Sequence, residues 1–134
     1  MNIMTMLRAK STVAYLEDGY TVRQGLEKMR AHGYTAIPVI GRDGQYIGSV
    51  SEGDFLWHLE KTGAAPDVLE KYKIRDILRE GWNPAARIDV TLEALLEQAL
   101  TQNFVPMVDD RNLFIGIITR QEIMRYFLEK QKEL

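Results

Sequence analysis

Tyr34-Thr35-Ala36-Ile37-Pro38-Val39-Ile40, a turn at Asp43-Gly44, and Tyr46-Ile47-Gly48-Ser49-Val50-Ser51-Glu52-Gly53-Asp54 form the stretch that decides the fold, because the chain repeats it. The second version is Gln102-Asn103-Phe104-Val105-Pro106-Met107-Val108, a turn, and Phe114-Ile115-Gly116-Ile117-Ile118-Thr119-Arg120-Gln121-Glu122. Pro38 answers to Pro106, Gly48 to Gly116, Ser51 to Thr119 and Asp54 to Glu122. A repeat this long is two copies of a supersecondary unit, each with strands and helices of its own, rather than a solenoid. In both copies two short apolar runs flank a polar turn, which reads as a β-hairpin.

Outward from the first hairpin, Val13-Ala14-Tyr15-Leu16 is β-prone and Glu17-Asp18-Gly19 supplies turn chemistry to end a strand. Thr21 caps a predicted helix whose apolar residues Val22, Leu26 and Met29 share one face, with Gly33 just past its end. A further helix runs from about Glu52 to Lys61, so the unit is β-α-β-β-α. The second copy keeps the order: Arg87-Ile88-Asp89 as a strand, Thr91 capping a helix with Leu92, Leu95, Leu96, Ala99 and Leu100, a hairpin of Val105–Val108 and Leu113–Ile118 across Asp109–Asn112, and a helix from Arg120 to near Lys130. From Thr91 to Pro106 it is two residues shorter than from Thr21 to Pro38. The fold class expected is α/β (α+β), with one unit over 8–61, a connector over 62–84 carrying helical pieces at Val68–Tyr72 and Ile74–Leu78, and a second unit over 85–130.

Composition narrows the function classes. A chain of 134 residues suffices for one shared core rather than two independent ones. No apolar run reaches the roughly 18 residues of a membrane span, and the start lacks the pattern of a secretion leader. The expectation is a cytoplasmic protein. There is no cysteine for a disulfide, thiolate nucleophile or thiolate metal site, and His32 and His58 are too few for a zinc centre. Seventeen basic against nineteen acidic residues give a net charge of −2 and no electrostatic case for nucleic acid.

Ser51-x-x-Asp54 and Thr119-x-x-Glu122 stand where a strand turns into a helix. One reading is a capping box that satisfies orphan amides. The other is a ligand site, since a helix start with a hydroxyl suits phosphate and a carboxylate accepts two ribose hydroxyls. Arg120 is either a phosphate contact or an ordinary solvated arginine, and Phe104 either stacks on a base or belongs to the core. Lys10, Arg8 and Arg87 are further bases near strand starts. Gly48 and Gly116, inside strands, point to close backbone approach or a bulge.

Taken together, the segments Tyr34–Ile40, Gly48–Asp54, Asn103–Asp109 and Gly116–Glu122 resemble the CBS-domain family, in particular a small stand-alone tandem pair, or Bateman module, and the resemblance covers about residues 8 to 130. It implies two CBS units packed sheet to sheet about a pseudo-twofold axis, with two clefts that bind adenosyl compounds such as AMP, ATP, S-adenosylmethionine or cyclic di-AMP. By position, it assigns Asp54 to a ribose and Ser51 to a ribose or phosphate. Thr35, Ala36 and Ala14 offer backbone groups to adenine, with Tyr34 and Ile37 in an apolar wall. Asn103, Phe104, Val105, Thr119 and Glu122 are their counterparts in the other cleft, with Arg120 beside them. Glu122 stands where the family more often has Asp, so the two clefts are expected to differ.

The function expected is a non-enzymatic regulatory or sensor module that requires no cofactor, binds AMP, ATP or cyclic di-AMP, and signals to an unidentified effector protein. The alternative is a ligand-free scaffold whose clefts are filled by Tyr34, Phe104 and Met107. An enzyme lacks support, since no nucleophile–base pair, metal cluster or Walker-type loop is legible. The helices Phe55–Leu59 and Ile123–Leu128 are apolar over more than one stripe, which suggests either a large internal core or a homodimer through Trp57, Leu59, Met124 and Phe127.

Overall fold

A computed structural model describes residues 3–132 of the chain. In order, its elements are β1 (Arg8–Ala9), β2 (Leu16–Glu17), α1 (Val22–His32), β3 (Ala36–Ile40), β4 (Tyr46–Ser51), α2 (Glu52–Thr62), α3 (Pro66–Lys71), β5 (Ala86–Arg87), α4 (Leu92–Ala99), β6 (Phe104–Val108), β7 (Phe114–Thr119) and α5 (Arg120–Lys132). Short 3-10 turns occupy Ile3–Met6, Lys10–Thr12 and Ile74–Asp76. The fold is mixed α+β, with two small sheets in two compact units.

One unit is Ala14–Trp82. Its sheet has the order β2-β3-β4, with β2 parallel to β3 and β3 antiparallel to β4. Pro38 lies opposite Ser49 and Val39 opposite Gly48, with a register shift between Val39 and Ile40. Thr21 and Gln24 form a reciprocal capping box at the start of α1, and Gly33 closes that helix at φ 66°, a left-handed conformation that costs glycine little. Leu16, Val22, Met29, Ile37, Val39, Val50, Phe55 and Ile74 form the core. Ile74 draws the connector into this unit: it is fully buried, and its Cδ1 lies 2.5 Å from where a Cβ on Gly25 would stand. A larger residue there would require the Ile74 side chain to shift. Arg23 hydrogen-bonds Glu27 on its own helix and Glu70 on α3.

The other unit joins the described residues through Val13 to those from Asn83 onward. Its sheet runs β1-β7-β6-β5, with β5 parallel to β6 and the remaining pairs antiparallel. Pro106 faces Ile117 and Met107 faces Gly116, and the register shifts between Met107 and Val108, as at the matching position of the first hairpin. Met6, Ala86, Leu95, Ala99, Val105, Met107, Ile118 and Ile123 form its core.

The hairpins and long helices fall where the sequence places them, and the short strands do not. The strand expected over Val13–Leu16 is Leu16–Glu17, because only those residues pair with β3. Val13 instead closes the preceding 3-10 turn through its N–H to the Lys10 carbonyl, at 3.3 Å. Likewise the strand expected over Arg87–Asp89 is Ala86–Arg87. Leading segments are exchanged between the repeats. Leu7 Cδ1 stands 3.0 Å from a Cβ built on Gly116, and Leu78 Cδ2 stands 3.5 Å from one built on Gly48. The dipeptides Leu7-Arg8 and Leu78-Arg79 thus occupy matching places, each against the hairpin of the other copy.

Candidate functional site

Within the Ala14–Trp82 unit, β4 delivers Ser51 to the N-cap of α2, where its backbone is still extended (φ −105°, ψ 164°). The Asp54 N–H donates to Ser51 Oγ at 3.3 Å, and the Ser51 N–H donates to Asp54 Oδ2 at 2.8 Å, a complete capping box. The Ser51 hydroxyl also donates to Oδ2, at 3.0 Å. The other oxygen, Oδ1, accepts from Arg79 Nε at 2.7 Å. Arg79 Nη2 reaches Oδ2 and Ser51 Oγ, each at 3.4 Å, and the guanidinium lies 4.2 Å from the centre of the Trp82 ring. Asp54 is therefore a carboxylate with a side chain only 5% exposed, beneath an arginine that is 50% exposed. Removing the arginine would strand a buried charge.

The matching corner of the other unit is looser. The Glu122 N–H donates to Thr119 Oγ1 at 3.2 Å, but Glu122 Oε1 accepts from Arg125 Nη1 at 2.8 Å and lies 3.9 Å from Arg8 Nη2. The longer side chain turns outward along α5, and it is 25% exposed where Asp54 is 5%. Arg120 Nε donates to the Ala99 carbonyl at 2.7 Å, so it satisfies an orphan acceptor at the end of α4.

The remaining sequence-predicted residues divide by burial. Tyr34, Thr35 and Asn103 are exposed, Ala14, Ala36 and Phe104 are half-buried, and Ile37 and Val105 are fully buried in the cores of their own units. Tyr34 stacks on His32 with ring centres 5.4 Å apart. The Thr35 carbonyl accepts from the Glu52 N–H at 2.9 Å and the Asn103 carbonyl from the Arg120 N–H at 2.8 Å, which pins each strand start to the helix it faces. Met107, a proposed filler in the scaffold reading, is a fully buried core residue.

Sequence reasoning missed Arg79 and Trp82. The available signal was the recurrence of Leu-Arg at Leu7-Arg8 and Leu78-Arg79, ahead of each copy. It lies outside the hairpin repeat, and only the exchange of leaders brings each arginine to an acid. Among the described residues, no cluster of three or more potential ligands is placed to hold a metal ion, and no helix is long and apolar enough to cross a membrane.

Two segments, residues 7–61 and 74–129, match the CBS domain, and the chain belongs to that family. It is 28% identical over 107 residues to an inosine-5'-monophosphate dehydrogenase of Methanocaldococcus jannaschii, covering 78% of this chain and 20% of that protein. The chain spans between 20% and 49% of the length of the curated relatives it matches. Among solved structures, CbpB in complex with c-di-AMP superposes with a TM-score of 0.88 at 22% identity, over 99% of this chain and 88% of that one. CBSX2 in complex with AMP superposes with a TM-score of 0.76 at 22% identity, over 97% and 98%. The fold is that of a tandem CBS pair.

Proposed function

We propose that the protein is a non-enzymatic regulatory module that binds an adenine nucleotide (AMP, ATP or cyclic di-AMP) and passes its occupancy to a separate effector protein in the cytoplasm. One observation carries this reading: a buried carboxylate, Asp54, at a helix start beside a hydroxyl and a cation. That set holds a ribose by its hydroxyls and a phosphate by charge. Support comes from the nucleotides in the similar solved structures, c-di-AMP with CbpB and AMP with CBSX2. Thr35, Ala36 and Ala14 are proposed to meet the adenine beside Tyr34 and Ile37. At the Glu122 corner the proposed contacts are Asn103, Phe104, Thr119 and Arg120, with Val105 buried behind them. The outward turn of Glu122 favours a different anionic group there, or none. Ligand binding shifts the population of the module between settings that the effector distinguishes.

Homodimerisation is part of the proposal. Of the residues expected at the contact, Trp57 and Met124 are 61% and 56% exposed, whereas Leu59 and Phe127 are half-buried, Phe127 against its own core; Leu56 on α2 and Leu128 on α5, at 60% and 62%, extend the exposed faces instead. Apolar helix faces of this kind suit a second copy.

The scaffold reading has one observation in its favour: Ser51 and Arg79 already engage both oxygens of Asp54. A thermal unfolding series with AMP, ATP, cyclic di-AMP and S-adenosylmethionine separates the two. A ligand at 100 times its Kd adds about 2.7 kcal/mol of stability. Stabilisation by at least one of the four supports the sensor, and none by any supports the scaffold.

A further inference from the structure

We infer that Arg79 is the specificity residue of the Ser51–Asp54 site, and that it makes the site select phosphate-bearing ligands over the uncharged nucleoside. This rests on the reading that Asp54 receives ribose hydroxyls. Asp54 Oδ2 is taken by the Ser51 amide and hydroxyl, at 2.8 and 3.0 Å, so the acceptor left to a ribose is Oδ1. Arg79 Nε holds that oxygen, at 2.7 Å. Oδ1 has one further lone pair, so an uncharged nucleoside that gives both ribose hydroxyls to this 5%-exposed carboxylate displaces the arginine and offers it no anion in return. A nucleotide supplies a phosphate as a replacement partner, so charge balance is kept on both groups.

Arg79 is built for such an exchange. Its side chain is half exposed, and Nη1 has no partner among the described residues. One face of the guanidinium rests on Trp82, which lets the group pivot without losing its support. Arg8 shows the contrast at the matching place of the other unit. It stands 3.9 Å from Glu122, whose Oε1 is already bonded to Arg125, so that arginine does not guard a single buried acceptor.

The test is calorimetric titration of the full chain with AMP and with adenosine, for the wild-type protein and for Arg79→Gln and Arg79→Lys. The wild-type protein is expected to prefer AMP by at least about tenfold. Arg79→Gln should bring the two ligands to within about threefold of each other, with adenosine binding held or improved because its competitor is gone. Arg79→Lys should keep part of the preference. A ratio unchanged by Arg79→Gln, or a parallel loss for both ligands, overturns the role of the arginine while leaving the site reading intact. If AMP, ATP, cyclic di-AMP and adenosine all fail to bind the wild-type chain, the site reading fails and the selection falls with it. A second readout does not depend on variants of Arg79. In Trp57→Phe, which leaves Trp82 as the sole indole, saturating AMP should alter the emission as the guanidinium turns over the ring toward the phosphate. An emission unchanged by saturating AMP contradicts the proposal.

Discussion

The Arg8 carbonyl oxygen lies 2.2 Å from where a Cβ on Gly116 would stand, so the β1–β7 pairing requires a glycine at that position. Gly116 also has φ 151°, outside the range that L side chains readily adopt. The same glycine in the other copy, Gly48, would place a Cβ at an ordinary 3.5 Å from Leu78. Gly116→Ala is expected to cost about 2–4 kcal/mol, by the clash and the backbone strain together. Gly48→Ala should cost less than about 1 kcal/mol. Urea unfolding of both variants checks the contrast, and equal losses would mean that β1 is not seated as described.

The turn of the second hairpin carries a pH dependence. Hydrogen bonds from the Leu113 and Arg111 N–H groups, each 2.9 Å to Asp109 Oδ1, hold the Asp109 carboxyl below its usual pKa, with the Leu113 bond the larger cause. A carboxylate with a lowered folded pKa contributes stability above its unfolded pKa and loses it as the pH falls through the folded value. Wild-type melting temperature should therefore fall on acidification below the ordinary carboxylate range by more than that of Asp109→Asn. Parallel pH profiles for the two proteins would refute the assignment.

Trp57 and Met124 test the dimer. Both are more than half exposed on helices whose other faces fill their own cores. Trp57→Glu combined with Met124→Glu should convert a dimeric light-scattering mass to a monomeric one that still unfolds cooperatively, because neither side chain is buried within its own chain. A wild-type mass of one chain, or an unchanged dimer in the double variant, removes this interface from the account.

Legibility in the sequence tracked periodicity and local chemistry. The hairpins announced themselves because Pro38, Gly48, Pro106 and Gly116 sit at fixed places within apolar runs, and α1 and α4 because Thr21 and Thr91 cap them. Two-residue strands such as Arg8–Ala9 and Ala86–Arg87 are too short to show alternation, and pairing alone defines them. Ser51 and Asp54 were readable as a helix start from their spacing. Arg79 was not, because it reaches Asp54 across 25 positions of chain and nothing local marks a long-range ion pair. Arg120 was readable as a free cation or a phosphate contact, and its bond to the Ala99 carbonyl is tertiary.

Nucleotide binding is proposed to rest on Asp54, and titration of the wild-type chain and Asp54→Asn with AMP, ATP and cyclic di-AMP measures its part. Asparagine keeps an acceptor for the Ser51 amide but removes the charge that Arg79 balances, so some stability should be lost in either case, about 1–3 kcal/mol. Saturable binding of at least one of these nucleotides to the wild-type protein is expected, with a loss of at least about tenfold in Asp54→Asn. Binding that survives the substitution unchanged, or no binding of any of the three, would contradict that role for Asp54.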